Sequence, residues 1–303
     1  MLGGERLTAV IDRARANFRL TDAEITLEAN PADRLRDTFA AFAAAGGNRL
    51  SWGMQSACAD EFCALGRRHT PADVERTVAD ARVAGIDNVS LDMMLGISGQ
   101  TELTVRRSAQ VAAALGATHI SAYLLKIEPN TPYGQCPPPL PDEDTTADLY
   151  LAAMGELDSL GYRQYEISNT AHVGCESRHN LKYWKSEPYL GIGPAASSCL
   201  DGRRFAYARD LDGFMNGTQP IDEPTGTIAV GSPTEYALLR LRLTEGITEG
   251  DYIARFGEPI PLAWRERAST LPTSLAKADE QGICLTREGF LLSNTLIARI
   301  LGE

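Results

Sequence analysis

Four segments of the chain end in a side chain able to hold a polar ligand. Thr26-Leu27-Glu28-Ala29-Asn30-Pro31 is an apolar, β-branched run that stops at a carboxylate, and Gln55, Asp92 and Lys126 stand at or just past the ends of three later apolar runs. Proline donates nothing to a β-ladder, so Pro31 ends the first run and leaves Glu28 at its carboxyl rim. Parallel α/β architectures bind ligands at that rim. Glu, Gln and Asp would accept from amino and hydroxyl donors there. Arg67, in a loop after the helix that follows Gln55, could grip a ligand carboxylate by a bidentate fork, although a solvated arginine is the commoner case. Any one of these residues reads equally well as ordinary surface. Their recurrence at the same place in successive units makes the rim a candidate site.

A repeating unit is needed to position them. Leu7, Val10, Ile11, Ala14 and Phe18 have helical spacing. Residues 32–45 form an alanine-rich helix stopped by Gly46-Gly47, and Arg49 to Gln55 reads as the next strand. Thr70-Pro71-Ala72-Asp73 supplies an N-cap and a proline at the first helical position, opening a helix that runs to Gly85. Asn88 to Met94 and His119 to Leu125 are further strands, separated by a helix from Val105 to Leu115. Helix, glycine, strand and polar rim thus recur about every thirty residues, the βαβ pattern of a curved parallel sheet. Prolines 129, 132, 137–139 and 141 mark a connecting arm, followed by a helix from Asp142 to Leu160 and a strand over Tyr165 to Asn169. Asp201-Gly202 predicts a two-residue hairpin turn. Near the end, Cys284 to Phe290 reads as strand-like flanks around a turn. The expected parts are a parallel barrel segment over 1–128, an arm and α+β segment over 129–232, and a small helix-plus-hairpin domain over 233–303.

Composition narrows the function. A formal charge of −11 and the lack of a clustered basic face argue against a phosphate-backbone partner and an anionic membrane surface. Six cysteines without a repeated short spacing, and no stretch that reads as a secretory or membrane-spanning segment, predict a reducing, cytoplasmic setting. Gly191-Ile192-Gly193-Pro194 lacks the third glycine of a dinucleotide fingerprint, and Walker, G-x-S-x-G and H-E-x-x-H motifs are missing.

The ordered motifs resemble a known family. They are Glu24 to Pro31, Arg49 to Ser56, Ala64 to Arg67, Ser90 to Met94, Gly99-Gln100-Thr101, Leu140 to Asp144, Tyr165 to Asn169, Ser177-Arg178-His179-Asn180 and Tyr189 to Pro194. Together they are similar to the HemW haem chaperones, radical S-adenosylmethionine (SAM) proteins related to the oxygen-independent coproporphyrinogen III oxidases. The resemblance implies a partial (β/α)6 barrel followed by a smaller α+β domain, with a [4Fe-4S] cluster, SAM and haem as cofactors and cargo, and an acceptor protein as partner. It places Glu28 on the SAM amino group, Arg67 on its carboxylate, and Gln55 with Asp92 on the ribose hydroxyls. The family's C-x-x-x-C-x-x-C segment has no counterpart in these 303 residues, so the resemblance implies an N-terminally truncated barrel without cluster ligands and without catalysis as given. Ser98 stands at a usual proline, Lys182 at an asparagine, and Ala195 and Ser197 at a glycine and a histidine. The expected function is haem binding and transfer. The rivals are a coproporphyrinogen oxidase and a non-functional truncated remnant.

Overall fold

The computed structural model describes residues 3–31, 35–66, 69–223 and 228–302, which divide into two compact units, 1–176 and 177–303. The first contains, in order, α1 (Gly4–Asn17), β1 (Thr26–Ala29), α2 (Arg36–Ala44), β2 (Arg49–Gln55), α3 (Ala59–Ala64), α4 (Pro71–Val83), β3 (Asn88–Leu95), α5 (Glu102–Ala114), β4 (His119–Leu124), α6 (Pro132–Gln135), α7 (Glu143–Ser159), β5 (Arg163–Gln164) and β6 (Asn169–Ala171). Its six strands lie in the order β1-β2-β3-β4-β6-β5.

Strands β1 to β4 pair in parallel, as the βαβ spacing requires. Local chemistry sets their boundaries. Thr70 caps α4 by accepting from the Asp73 amide, while the Asp73 carboxylate accepts from the Thr70 amide at 2.7 Å. Gly116, at φ +78°, ends α5 in the left-handed conformation that lets the chain enter β4 three residues later.

The sheet is mixed, not wholly parallel as its sequence pattern predicts. Strand β6 runs antiparallel to β4, and β5 antiparallel to β6. The strand expected over Tyr165 to Asn169 is also interrupted, because β5 ends at Gln164 and β6 begins at Asn169. Between them lies Glu166, 1% exposed, at the start of a bend over Ile167 and Ser168. Tyr150 completes the turn by donating to the Ile167 carbonyl at 2.8 Å.

The two faces of this sheet differ in chemistry. Leu50, Trp52, Met54, Val89, Leu91, Met93 and Ile120 face the helices and pack with Phe39, Phe42, Val74, Val78, Ala109 and Leu157. Phe39 stacks on Trp52, with ring centroids 6.1 Å apart. On the other face the register aligns Glu28, Ser51, Ser90 and His119 in one row, and Gly53, Asp92, Ser121 and Asn169 in the next.

The second unit contains α8 (Arg178–Trp184), β7 (Ser197–Leu200), β8 (Arg203–Ala206), α9 (Leu211–Met215), β9 (Ile221–Asp222), α10 (Pro233–Arg240), β10 (Ile247–Thr248), α11 (Glu249–Phe256), α12 (Leu262–Ser269), β11 (Ala276–Ala278), β12 (Gly282–Leu285), α13 (Arg287–Leu291) and α14 (Ser293–Leu301). The Asp201-Gly202 turn joins β7 to β8 as its sequence predicts, both residues at positive φ. The last hairpin lies upstream of its expected place. Strands β11 and β12 pair around Asp279, whose Oδ1 accepts from the amides of Gln281 and Gly282. The expected second flank is helical, because Thr286 caps α13 by accepting from the Gly289 amide at 3.0 Å. Among the described residues no helix is long and apolar enough to cross a membrane.

Burial on the polar face makes stability depend on pH. His119 is buried with Nδ1 2.8 Å from Ser90 Oγ and Nε2 2.8 Å from the Tyr165 hydroxyl; desolvation, helped by Arg49, lowers its pKa to about 3. Desolvation raises Glu166 to about 7. From pH 3 to 6.5 the unfolded chain holds a proton on His119 that the folded chain rejects, so stability rises with pH. From about pH 4.5 to 7 the folded chain holds a proton on Glu166 that the unfolded chain releases, so stability falls with pH. The two slopes oppose between pH 4.5 and 6.5. Glu166→Gln should therefore steepen the rise of stability across that window and stabilise the fold at pH 8, by at most about 3 kcal/mol. Urea titrations of both chains at pH 4.5, 6.5 and 8 measure this. On the apolar face, Leu91→Ala should cost about 2–5 kcal/mol in the same titration.

Candidate functional site

The candidate site is the carboxyl rim of β1 to β4 on the polar face. Glu28, next to last in β1, is exposed and pairs in register with Ser51. Gln55 ends β2 in the left-handed conformation, φ +63°, and is buried. The register shifts between Gly53 and Gln55, a bulge that turns the glutamine amide back over the strand. A Cβ on Gly53 would lie 2.1 Å from Gln55 Nε2, so the glycine leaves the space in which that amide rests. Gly53 is also the register partner of Asp92, which is half-buried on β3. Gln55 and Asp92 are thereby brought to neighbouring positions, with Glu28 on the adjoining strand.

Two predicted rim residues stand differently. Arg67 lies outside the described residues. Lys126 is two residues beyond β4, with its side chain 83% exposed and paired with Glu128 at 2.8 Å, so it belongs to the arm and not to the rim. The turn after β3 is held by Gln100: its Oε1 accepts from the amides of Gly96 and Ile97, and its Nε2 donates to Met94 O and Glu61 Oε2. This anchors the loop that follows Asp92.

Several site-facing residues escape a reading of rim positions alone. Ser90, His119, Ser121, Asn169 and Glu166 are buried on or beside the polar face. Their signal is period-two polarity inside apolar runs, Ser90/Asp92 and His119/Ser121/Tyr123, which marks a strand with one face turned from the apolar core.

The acceptors of Glu28, Gln55 and Asp92 suit a ligand that presents ammonium and hydroxyl donors, as SAM does through its amino group and ribose, and the space over Gly53 lets the glutamine amide join them. An iron–sulfur cluster does not fit equally. Among the described residues no group of three or more His, Cys, Asp or Glu is placed to hold a metal ion.

Comparison with known proteins gives these features a context. The model of the Radical SAM superfamily matches residues 1–112. The chain is 36% identical over 263 residues to the heme chaperone HemW of Escherichia coli K12, covering 85% of this chain and 69% of that one. To the heme chaperone HemW of Mycobacterium tuberculosis it is 34% identical over 319 residues, covering 100% and 78%. The structure of the coproporphyrinogen III oxidase HemN of Escherichia coli, described as a radical SAM enzyme, superposes with a TM-score of 0.77 over 99% of this chain and 74% of that one. At 17% identity that likeness shows the fold alone. The sequence relationships, running through both units at identities above 30%, carry the assignment: the chain belongs to the HemW family of radical SAM proteins.

Proposed function

We propose that the protein is a haem chaperone, binding haem and passing it to an acceptor protein, with a SAM-type ligand held at the rim of the first unit. The observation that carries this reading is the similarity along the entire chain to proteins named as heme chaperones. At the rim, Glu28 would accept from the ligand amino group and Gln55 and Asp92 from the ribose hydroxyls, and the family resemblance assigns the carboxylate to Arg67. When bound, SAM supplies an adenosyl and a methionyl group. Glu28, Gln55 and Asp92 would only bind and orient it.

The second unit offers a surface suited to a porphyrin. Of the four histidines, His119 spends both ring nitrogens inside the first unit. His172 stacks on Tyr162 at 4.2 Å and bonds the Gly161 carbonyl, and His69 sits edge-on to Phe62. His179 is exposed on α8, with Nε2 3.1 Å from the Tyr183 hydroxyl. Tyr183 meets Tyr189 edge to face at 4.5 Å, and the chain beyond Tyr189 exposes Leu190 and Ile192. An exposed imidazole beside aromatic rings and uncovered aliphatic groups supplies an axial ligand and an apolar contact for a flat macrocycle.

Haem titration followed by Soret absorbance tests this. A stable complex should survive gel filtration, His179→Ala should weaken it at least tenfold and shift the Soret band, and Glu28→Ala should leave it unchanged. Binding of S-adenosylhomocysteine should show the reverse pattern, with Glu28→Ala and Asp92→Ala weakening it roughly tenfold each. A wild-type chain that fails to bind haem, or that converts coproporphyrinogen to protoporphyrinogen under reducing conditions, would sink the chaperone reading.

A further inference from the structure

Helix α3 spans Ala59–Ala64 and begins just after Gln55. A helix this short has no stability of its own in water, so its position is set by whatever holds it. Its N-cap, Cys58, makes no side-chain cap bond. The segment that leads into it is bonded to α5 instead. Ser108 Oγ accepts from the Ala57 amide at 2.9 Å, and Ser56 Oγ, 3.4 Å from Ser108 Oγ, accepts from the Cys58 amide at 2.9 Å. Within the helix, Glu61 Oε2 accepts from Gln100 Nε2 at 3.1 Å. The same nitrogen donates at 3.0 Å to the carbonyl of Met94, close after Asp92 on β3, while Gln100 Oε1 accepts from the amides of Gly96 at 2.7 Å and Ile97 at 3.3 Å. With both ends engaged, the Gln100 amide has one orientation. Gln55 and Asp92 belong to different strands, and these bonds join the segment that follows the first to the turn that follows the second.

Glu61 is a costly way to make that join. It is 3% exposed, and its Oε1 is buried without a hydrogen-bond partner among the described residues. A buried oxygen left unpaired loses its hydration for nothing. Leucine at this position would exchange that unpaired oxygen for one unpaired amide hydrogen on Gln100 and add apolar burial, so the fold would lose little. Stability alone does not select Glu61. Groups kept against the interest of the fold are found where function needs them.

We propose that Glu61 is a positioning residue for the rim ligand: bonded to Gln100, it locks α3 to the turn after β3 and so fixes Gln55 and Asp92 relative to one another. The inference rests on the reading of this rim as a ligand site and adds to it a residue that does not touch the ligand. Coupling of this kind is reciprocal, so a bound ligand should in turn steady the Gly96–Gln100 turn.

Wild type, Glu61→Leu and Glu61→Gln are each titrated with S-adenosylhomocysteine by calorimetry and unfolded in urea. Glu61→Gln keeps an acceptor for Gln100 and should bind within about threefold of wild type, while Glu61→Leu should bind roughly tenfold more weakly with its urea midpoint within about 0.5 M of wild type. A residue serving the fold alone would move the midpoint and spare the affinity. Amide exchange supplies a readout that needs no variant: saturating S-adenosylhomocysteine should slow exchange at Gly96 and Ile97 in wild type. A wild type that does not bind S-adenosylhomocysteine defeats the rim reading and this inference with it. Where wild type binds, the inference alone is overturned if Glu61→Leu binds as wild type does, if Glu61→Gln loses as much as Glu61→Leu, if Glu61→Leu loses its fold or drops further in midpoint, or if the ligand leaves exchange at Gly96 and Ile97 unchanged.

Discussion

The first unit depends on a sheet with two incompatible faces. One face satisfies itself by packing Leu50, Trp52, Leu91 and Ile120 against helices, which needs only shape and apolar area. The other carries Ser90, His119, Ser121 and Asn169, each nearly out of water. Such groups cost free energy unless every donor and acceptor finds a partner. The Ser90–His119–Tyr165 chain is the response to that requirement. Because hydrogen bonds are directional and apolar contacts are not, the polar face fixes geometry more narrowly than the core does. The rim residues inherit that precision from the rows beneath them.

The bulge at the end of β2 shows the same constraint from the other side. A regular strand would have sent Gln55 along the alternation of its neighbours. Its positive φ instead folds the side chain over Gly53, at a backbone cost that a non-glycine residue bears only where surrounding structure enforces it. Strained backbone beside Asp92 is therefore a structural reason, independent of any resemblance, to place the ligand at this rim.

Much of this was legible in sequence because the signals were local. The ends of β2 at Gln55 and of β4 near Leu124, the Thr70 cap and the Asp201-Gly202 turn each follow from residues within a few positions. The direction of β5 and β6 was not legible, since strand polarity is decided by which distant edge a segment reaches. Glu166 was hidden for a related reason. Its sequence neighbours alternate like a strand, and nothing local announces the bend at Ile167 and Ser168. The Thr286 cap shows the limit of pattern reading at short range: a β-like run and the start of α13 share the same residues, and one side-chain bond decides between them. At the candidate site, Glu28 and Gln55 lie at strand ends as the sequence suggests and Asp92 lies three residues inside the end of β3, whereas Ser121 and Asn169 needed the register that brings separate strands side by side.

The same asymmetry governs what fold likeness can say about function. The superposition on an oxidase of 17% identity reports an architecture that very different sequences can build, and apolar packing of this kind tolerates such divergence as long as volume and pattern persist. Discrimination between carrying a porphyrin and transforming one has to come from residues that packing does not prescribe. On the function proposed above, that role falls to the aromatic surface around His179. Holding a ligand requires only that such groups be oriented and accessible. Transforming it further requires a reactive group delivered to one bond of the bound ring.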